Sequence, residues 1–519
     1  MALNNRKLLF ILMLPVALVT LSFVWQGHTD FNLWDEGFLW YGAQRVLAGE
    51  VPIRDFLAYD PTRYYWAAVV MGLLGNDGVV SLRVGAALFQ ALGLVLALNL
   101  ISRSKKLISR TDVLFLVACT IVLMLWMYVY YKVYDVVAAL LLVAMLSWFF
   151  EKPSTTRYFW LGVCIGFVAT IGRNHGVYAL VGCAGAIAYT NIREKNFIAW
   201  VRPLPTLLAG GVVGFAPVWI AMLAVDGFAT AFLDSITYLL QMKSTNLPLP
   251  VPWPWSAALL TMPIGLAVHG FFAGLCFVAL LAFPLVTIPW MVLCKFRNKP
   301  LDSALVAAAL LSVPYAHYAF SRADVPHLSF SIFPLLIGCL VLVQELQPKL
   351  KWPLLGGVVA VSALLMLPLQ PAGKCSIVYT CVDVNIAGDV ILMPEKKSAE
   401  VHILQKLVAQ YAPDGSRFLV TPSWPGAYPL FSQKSPVFDI YTLLKRSDTF
   451  QQKEIERLMK TKPSLVVMVE DPLDGGDSHF LKNTNPLIYA YVVNHFLEVP
   501  VLGFPSVKAY RSHAFDAKH

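Results

Sequence analysis

Residues 6–38 read RKLLFILMLPVALVTLSFVWQGHTDFNLWDEGF. Arg6 and Lys7 precede an apolar run from Leu8 to Trp25 that is long enough to cross a bilayer. The segment behind it, Gln26 to Asp30, lacks a small-x-small cleavage signal, so the run reads as an uncleaved first span. About ten residues further on stand two adjacent carboxylates, Asp35 and Glu36. Charge beside a membrane is costly to place, and this pair is the natural start for a chemical hypothesis.

With 58% of its 519 residues hydrophobic and 14% charged, the chain is too apolar for an ordinary globular protein. It reads as a polytopic α-helical membrane protein. Apolar runs near 8–25, 80–101, 112–131, 134–150, 158–172, 177–191, 204–225, 270–294, 302–320, 328–345 and 352–369 predict about eleven transmembrane helices. Two stretches of about a dozen residues, Tyr64–Leu74 in the first outer loop and Ala257–Val268, suit interfacial or re-entrant helices better than spans. Basic residues cluster between the runs, at Arg6/Lys7, Arg103/Lys105/Lys106/Arg110, Lys152/Arg157, Arg193/Lys195/Arg202, Lys295/Arg297/Lys299 and Lys349/Lys351. Placing them all in the cytoplasm obeys the positive-inside rule and puts the amino terminus inside. Topology thereby accounts for the net charge of +9, with no nucleic-acid partner implied.

After Leu369 the composition becomes that of a soluble domain. The expected organisation is a membrane domain over 1–370 and an extracytoplasmic α/β domain over 371–519. Phe418-Leu419-Val420 and Leu465–Val469 read as buried strands, and Val401–Tyr411 and Thr449–Lys460 as amphipathic helices. Six cysteines lie in or beside apolar runs, whereas Cys375 and Cys381 follow the last one, where an oxidising compartment allows a bridge. The acidic loop over 470–477 lacks EF-hand spacing and reads as solvated.

Leu39, Ala43, Val46 and Leu47 recur at helical spacing, predicting an amphipathic helix over Glu36–Ala48 on the outer face with Asp35 at its start. A carboxylate there can be a simple N-cap. It can also be a general base that takes the proton of an attacking hydroxyl. Side chains of neighbouring helical residues point about 100° apart, so the two catalytic candidates divide. Asp35 is the expected base, and Glu36 orients a basic partner or helps hold a cation. On the same predicted face lie Arg173-Asn174-His175, Lys243, and the turn from Arg322 through Asp324 to His327. Arginine suits phosphate because its planar fork donates two bonds at once. The bland alternatives are snorkelling anchors for Arg173 and Arg322 and a solvated loop charge for Lys243. Asp324 is expected to orient Arg322 or His327.

Over about residues 1–370 the chain resembles the GT-C superfamily of membrane glycosyltransferases, which includes protein O-mannosyltransferases and bacterial aminoarabinose transferases. The resemblance is carried by Trp34-Asp35-Glu36 after the first span, by Gly49–Phe56 containing Asp55, and by Tyr59–Trp66 containing Arg63. Ser81-Leu82-Arg83 and the Arg322–His327 turn add to it. It implies an inverting transfer of a sugar from a polyprenyl-phosphate-linked donor to a lipid, glycan or protein acceptor at the extracytoplasmic membrane face. Asp35 would be the base, and Arg173, His175, Lys243, Arg322, Asp324, His327, Asp55 and Arg63 would meet donor phosphate or substrate. Arg54-Asp55-Phe56 stands where protein O-mannosyltransferases carry Asp-x-His-Pro, which weakens the expectation of a protein acceptor.

No P-loop or dinucleotide fingerprint is present, in keeping with a lipid-linked donor. The setting expected is a bacterial inner membrane, with the C-terminal domain periplasmic. An outer-face set of Asp, Glu and His allows a divalent cation, although no ligand spacing establishes one. The alternatives are a transporter or flippase for lipid-linked glycans, which calls for charges near the bilayer midplane, and a ligase or polymerase lacking the first-loop acid pair.

Overall fold

The computed structural model describes residues 5–103, 109–242, 248–472 and 476–513. The chain divides into two compact units. The first comprises Met1–Gln26, Ala86–Asp226 and Asn246–Gly373 and is built of helices. The second comprises Gly27–Gly85, Gly227–Thr245 and Lys374–His519, so the region after residue 371 is joined by two segments from earlier in the chain.

Among the described residues, seven helices are long and apolar enough to cross a membrane: Asn5–Gln26, Val79–Ile101, Tyr130–Glu151, Phe197–Gly214, Ile264–Phe296, Ser303–Ser321 and Pro348–Leu369. The pair Val325–Ser331 and Phe333–Gln344, bent by 60°, adds an eighth if it forms one span. The protein is therefore an integral membrane protein, with fewer full-length spans than the eleven apolar runs suggest. Arg110–Trp126 and Thr155–Ile171 have 17 residues each, about 26 Å of helix against a hydrocarbon core of about 30 Å. Arg173–Asn191 has polar residues at both ends, which shortens its apolar middle.

Helices Thr155–Ile171 and Leu204–Gly214 pack through glycines. A Cβ on Gly162, Gly166, Gly210 or Gly214 would collide with a carbonyl oxygen of the facing backbone, so these helices approach as closely as small-xxx-small pairs do. Ala257–Val268 is not the single short helix expected from its length. A 3-10 turn over Ala257–Thr261 ends before Pro263, and Ile264 begins a helix of 33 residues. Proline disfavours helical geometry at the residue before it, which sets the break at Met262.

In the second unit the first-loop helix runs from Asp35 to Leu47, close to its predicted bounds. It is not amphipathic as expected, because Glu36 through Ala43 are all buried. The cover comes from the C-terminal region. Tyr41 packs on Tyr428 with ring centroids 5.5 Å apart, and Gly37 lies so close to Gly426 that a Cβ on Gly37 would strike the Gly426 backbone. The second first-loop helix, Thr62–Leu74, exposes Val69, Leu73 and Leu74 and ends at Gly75 in the left-handed region with φ 62°. An exposed apolar face of this kind suits an interfacial helix.

Strands β1 (Cys381–Ile386) and β2 (Asp389–Pro394) form an antiparallel hairpin. Its two-residue turn places Ala387 and Gly388 at positive φ, as tight hairpins require. Strands β3 (Phe418–Thr421), β4 (Leu465–Val469), β5 (Phe496–Val499) and β6 (Val507–Ser512) form a sheet of order β3-β4-β6-β5, parallel only between β3 and β4. The two strands read from the sequence are β3 and β4, wholly buried, and the two expected helices are present as Glu395–Tyr411 and Asp448–Thr461. Leu419, Ile455, Leu458, Val466 and Val492 share the core between sheet and helices. Cys375 and Cys381 are disulfide-bonded.

Glu400, on the helix Glu395–Tyr411, is the titrating group to watch here. Burial pushes its carboxyl up to about 7; Asp471 and Asp30 add to the rise, and Lys397 and Lys396 oppose it. A folded-state value above the unfolded one means that the folded state binds the extra proton between about pH 4.5 and 7, so stability falls as pH rises through that window. Glu400→Gln is therefore expected to raise the melting temperature of the detergent-purified protein at pH 8 and to lose that advantage near pH 4.5. Equal shifts at both pH values would contradict the assignment.

Candidate active site

In the second unit, the chain enters the helix Asp35–Leu47 through Asn32, whose side-chain oxygen accepts the backbone N–H groups of Trp34 at 2.7 Å and Asp35 at 3.2 Å. Asn32 thus does the capping, and no capping bond from the side chain at the N-cap position, Trp34, is formed. Asp35 sits in the first turn, half-buried, with Oδ1 accepting the hydroxyl of Tyr441 at 3.3 Å.

Glu36 has a different fate. Its Oε1 and Oε2 accept from Nε and Nη2 of Arg83 at 2.7 and 2.9 Å, and both side chains are buried. The same guanidinium donates to the carbonyls of Gly27 at 2.8 Å, Thr29 at 3.0 Å and Asp30. Arg83 therefore ties the loop leading out of the first span to the acid pair. Asp30 is itself bridged by Lys374 at 2.7 Å and Lys397 at 2.6 Å.

Asp55 closes its own loop, accepting from Arg54 at 2.9 and 2.7 Å and from the Val51 N–H at 2.7 Å. Burial works against its charge, but the Arg54 and Val51 bonds together outweigh that and hold the carboxyl below its ordinary value. Arg63 is buried with its guanidinium 5.2 Å from the centre of the Tyr59 ring. Tyr59 packs on Phe38 at 4.9 Å and Phe38 on Tyr441 at 5.7 Å, so a run of rings connects Arg63 to the neighbourhood of Asp35.

In the first unit, the turn before Val325 is organised by Asp324. Its Oδ2 accepts from Arg322 Nε at 2.6 Å, and its Oδ1 accepts the His327 backbone N–H at 2.8 Å and lies 2.7 Å from His327 Nδ1. Burial again opposes the charge, and the His327 and Arg322 contacts overcome it, holding Asp324 below the usual carboxylate range. Asp324 thus orients both expected partners. His175 is fully buried, with Nδ1 at 2.8 Å from the Tyr315 hydroxyl and Nε2 at 2.9 Å from Asp135. Both ring nitrogens meet protein groups at the start of the helix that carries Arg173. Tyr318 lies between the two histidines, 6.3 Å from the His175 ring and 6.1 Å from that of His327. Lys243 lies outside the described residues.

Sequence reasoning passed over Asp135, Tyr315 and Tyr441. Asp135 had a usable signal, a carboxylate at the start of an apolar run. Among the described residues no three His, Cys, Asp or Glu side chains gather to hold a metal ion, so the divalent cation allowed by the sequence has no ligand set here.

No protein-family model and no curated protein matches the chain. Solved structures do. ArnT from Cupriavidus metallidurans in the apo state is similar over 96% of this chain and 97% of its own, with 12% identity and a TM-score of 0.56. The Archaeoglobus fulgidus oligosaccharyltransferase in its apo form covers 90% of this chain and 69% of its own at 11% identity and a TM-score of 0.48. The same organism's oligosaccharyltransferase AglB, solved with an inhibitory peptide and a dolichol-phosphate, covers 98% and 74% at 11% identity and a TM-score of 0.45. The agreement with ArnT runs through nearly the whole of both chains. The chain shares the fold of that ArnT structure.

Proposed function

We propose that the protein transfers a sugar from a polyprenyl-phosphate carrier to a lipid, glycan or protein acceptor at the extracytoplasmic face of a bacterial inner membrane, with inversion at the anomeric carbon. The observation that carries this reading is the division of the acid pair. Glu36 is committed to Arg83, while Asp35 is half-buried at the helix start and oriented by a hydroxyl. In the reaction, the acceptor oxygen bonds to the anomeric carbon as the bond from that carbon to the phosphate oxygen breaks. Asp35 takes the hydroxyl proton, and polyprenyl phosphate leaves. Phosphate is a weak base, so no second acid has to protonate it, unlike the leaving group in glycoside hydrolysis.

Negative charge on the leaving phosphate calls for oriented donors. Arg322, held by Asp324, takes that role with Arg173 and Lys243, and His327 shares it; His175 supports Arg173. Asp55 and Arg63 position substrate near the first loop, and Glu36 is a positioning residue for its neighbour. The membrane domain over 1–370 has eleven spans if the bent pair Val325–Ser331 and Phe333–Gln344 forms one span and the three shorter helices also cross. The Cys375–Cys381 disulfide supports an oxidising, periplasmic setting for the C-terminal domain and hence a cytoplasmic amino terminus.

The test is release of polyprenyl phosphate in detergent. Solubilised protein mixed with total lipid extract from cells lacking it is expected to convert a polyprenyl-phosphate sugar into polyprenyl phosphate and a heavier acceptor, both followed by mass spectrometry. Arg322→Ala should slow release about tenfold at limiting extract, the scale of a charge-assisted bond to phosphate. A transporter has no bilayer to work across in detergent, and failure to release polyprenyl phosphate would sink the reading.

A further inference from the structure

We infer that Tyr441, from the C-terminal region, is a positioning residue for the Asp35 carboxylate, and that an Asp439–Arg446 clamp holds it in place. The inference rests on the reading of Asp35 as the base.

Tyr441 lies between the helices Ala427–Leu430 and Asp448–Thr461, in a stretch without helix or strand. Irregular backbone places a side chain accurately only when it is tied on both sides. Upstream, Oε2 of buried Glu454 accepts the backbone N–H groups of Phe438 at 2.7 Å and Asp439 at 3.3 Å. Asp439, also buried, accepts the Tyr441 N–H on Oδ1 at 3.2 Å and Arg446 Nε on Oδ2 at 2.6 Å. Downstream, Thr442 pairs its hydroxyl with that of Thr421 at 2.7 Å, and its carbonyl accepts from Thr484 at 2.9 Å.

The clamp has its own support. The Arg446 guanidinium lies 3.8 Å from the centre of the Tyr238 ring and 4.6 Å from that of Phe450, an arrangement that holds a cation by its attraction to ring faces. The Tyr441 ring sits 5.7 Å from Phe38 and 6.4 Å from Trp34, on either side of Asp35 in the sequence. These ties fix where the hydroxyl can reach, and it reaches Asp35 Oδ1. Loss of that donor removes one of the contacts that orient the carboxylate, and a base displaced by about an ångström loses much of its effect.

The experiment measures polyprenyl phosphate release from the lipid extract by the full-length protein, at saturating and at limiting extract. Tyr441→Phe removes the hydroxyl and keeps the ring. It is expected to lower the saturating rate about tenfold, on the scale of a hydrogen bond to a charged group, with half-saturation and melting temperature unchanged. Asp439→Asn should lower the same rate, and the double variant should be no slower than the slower single one, since both act through one group. If Asp35→Asn abolishes release while Tyr441→Phe keeps the wild-type saturating rate, the inference falls and the base stands. If Asp35→Asn releases normally, both fall.

Discussion

On the proposed mechanism, Asp35→Asn is expected to reduce sugar transfer by about 10²- to 10⁴-fold, the range that removal of a general base produces, while folding is retained. The amide is isosteric, and its oxygen can still accept the Tyr441 hydroxyl, so the first turn keeps its contact. What is lost is the negative charge that, in the proposed reaction, takes the acceptor proton as the new bond forms. The saturating rate should fall while the extract concentration for half-saturation stays put, because the carboxylate acts in the transition state more than in binding. Polyprenyl phosphate release followed by mass spectrometry reads this directly, with a melting curve to establish folding. Unimpaired release would remove Asp35 from the mechanism.

Arg83→Met should destabilise the protein by about 3 to 5 kcal/mol, the usual consequence of leaving one member of a buried ion pair alone. The guanidinium pairs with Glu36 and also donates to the carbonyls of Gly27, Thr29 and Asp30, so its removal strips partners from four groups at once. Methionine fills similar space without a donor. The double variant Arg83→Met with Glu36→Gln should be less unstable than the two single effects added, because it no longer buries an unpaired carboxylate. Thermal denaturation in detergent measures both. A melting temperature unchanged by Arg83→Met would show that the pair holds nothing together.

Much of the fold was legible because its signals are local. A long apolar run such as Leu8–Trp25 announces a helix by length alone, and β3 and β4 announce themselves as short apolar runs between turn residues. Helix breaks were harder, since Ala257–Val268 reads as one apolar stretch although Pro263 divides it. The candidate site was legible in part. Asp35 and Glu36 stand out by charge, but the choice between them depends on Arg83, 47 residues away, and on Tyr441, 406 residues away. The amphipathic reading of Glu36–Ala48 failed for the same reason, because the helix's cover comes from sequence-distant residues such as Tyr428 and Gly426. Periodicity reports which face of a helix is apolar and is silent on what a remote segment will lay over the other.

The contact of Gly37 with Gly426, and the bond from the Ser435 N–H to the Tyr41 hydroxyl across 394 residues, set a schedule. When a nascent chain has emerged through its last apolar helix, every span can enter the membrane, yet the surface that covers the first-loop helix has still to be synthesised. Pairings this distant in sequence form late. The acid pair thus acquires its final setting only after Gly426 and Ser435 have been made, and a chain stopped before them can occupy the membrane with its first-loop helix still uncovered.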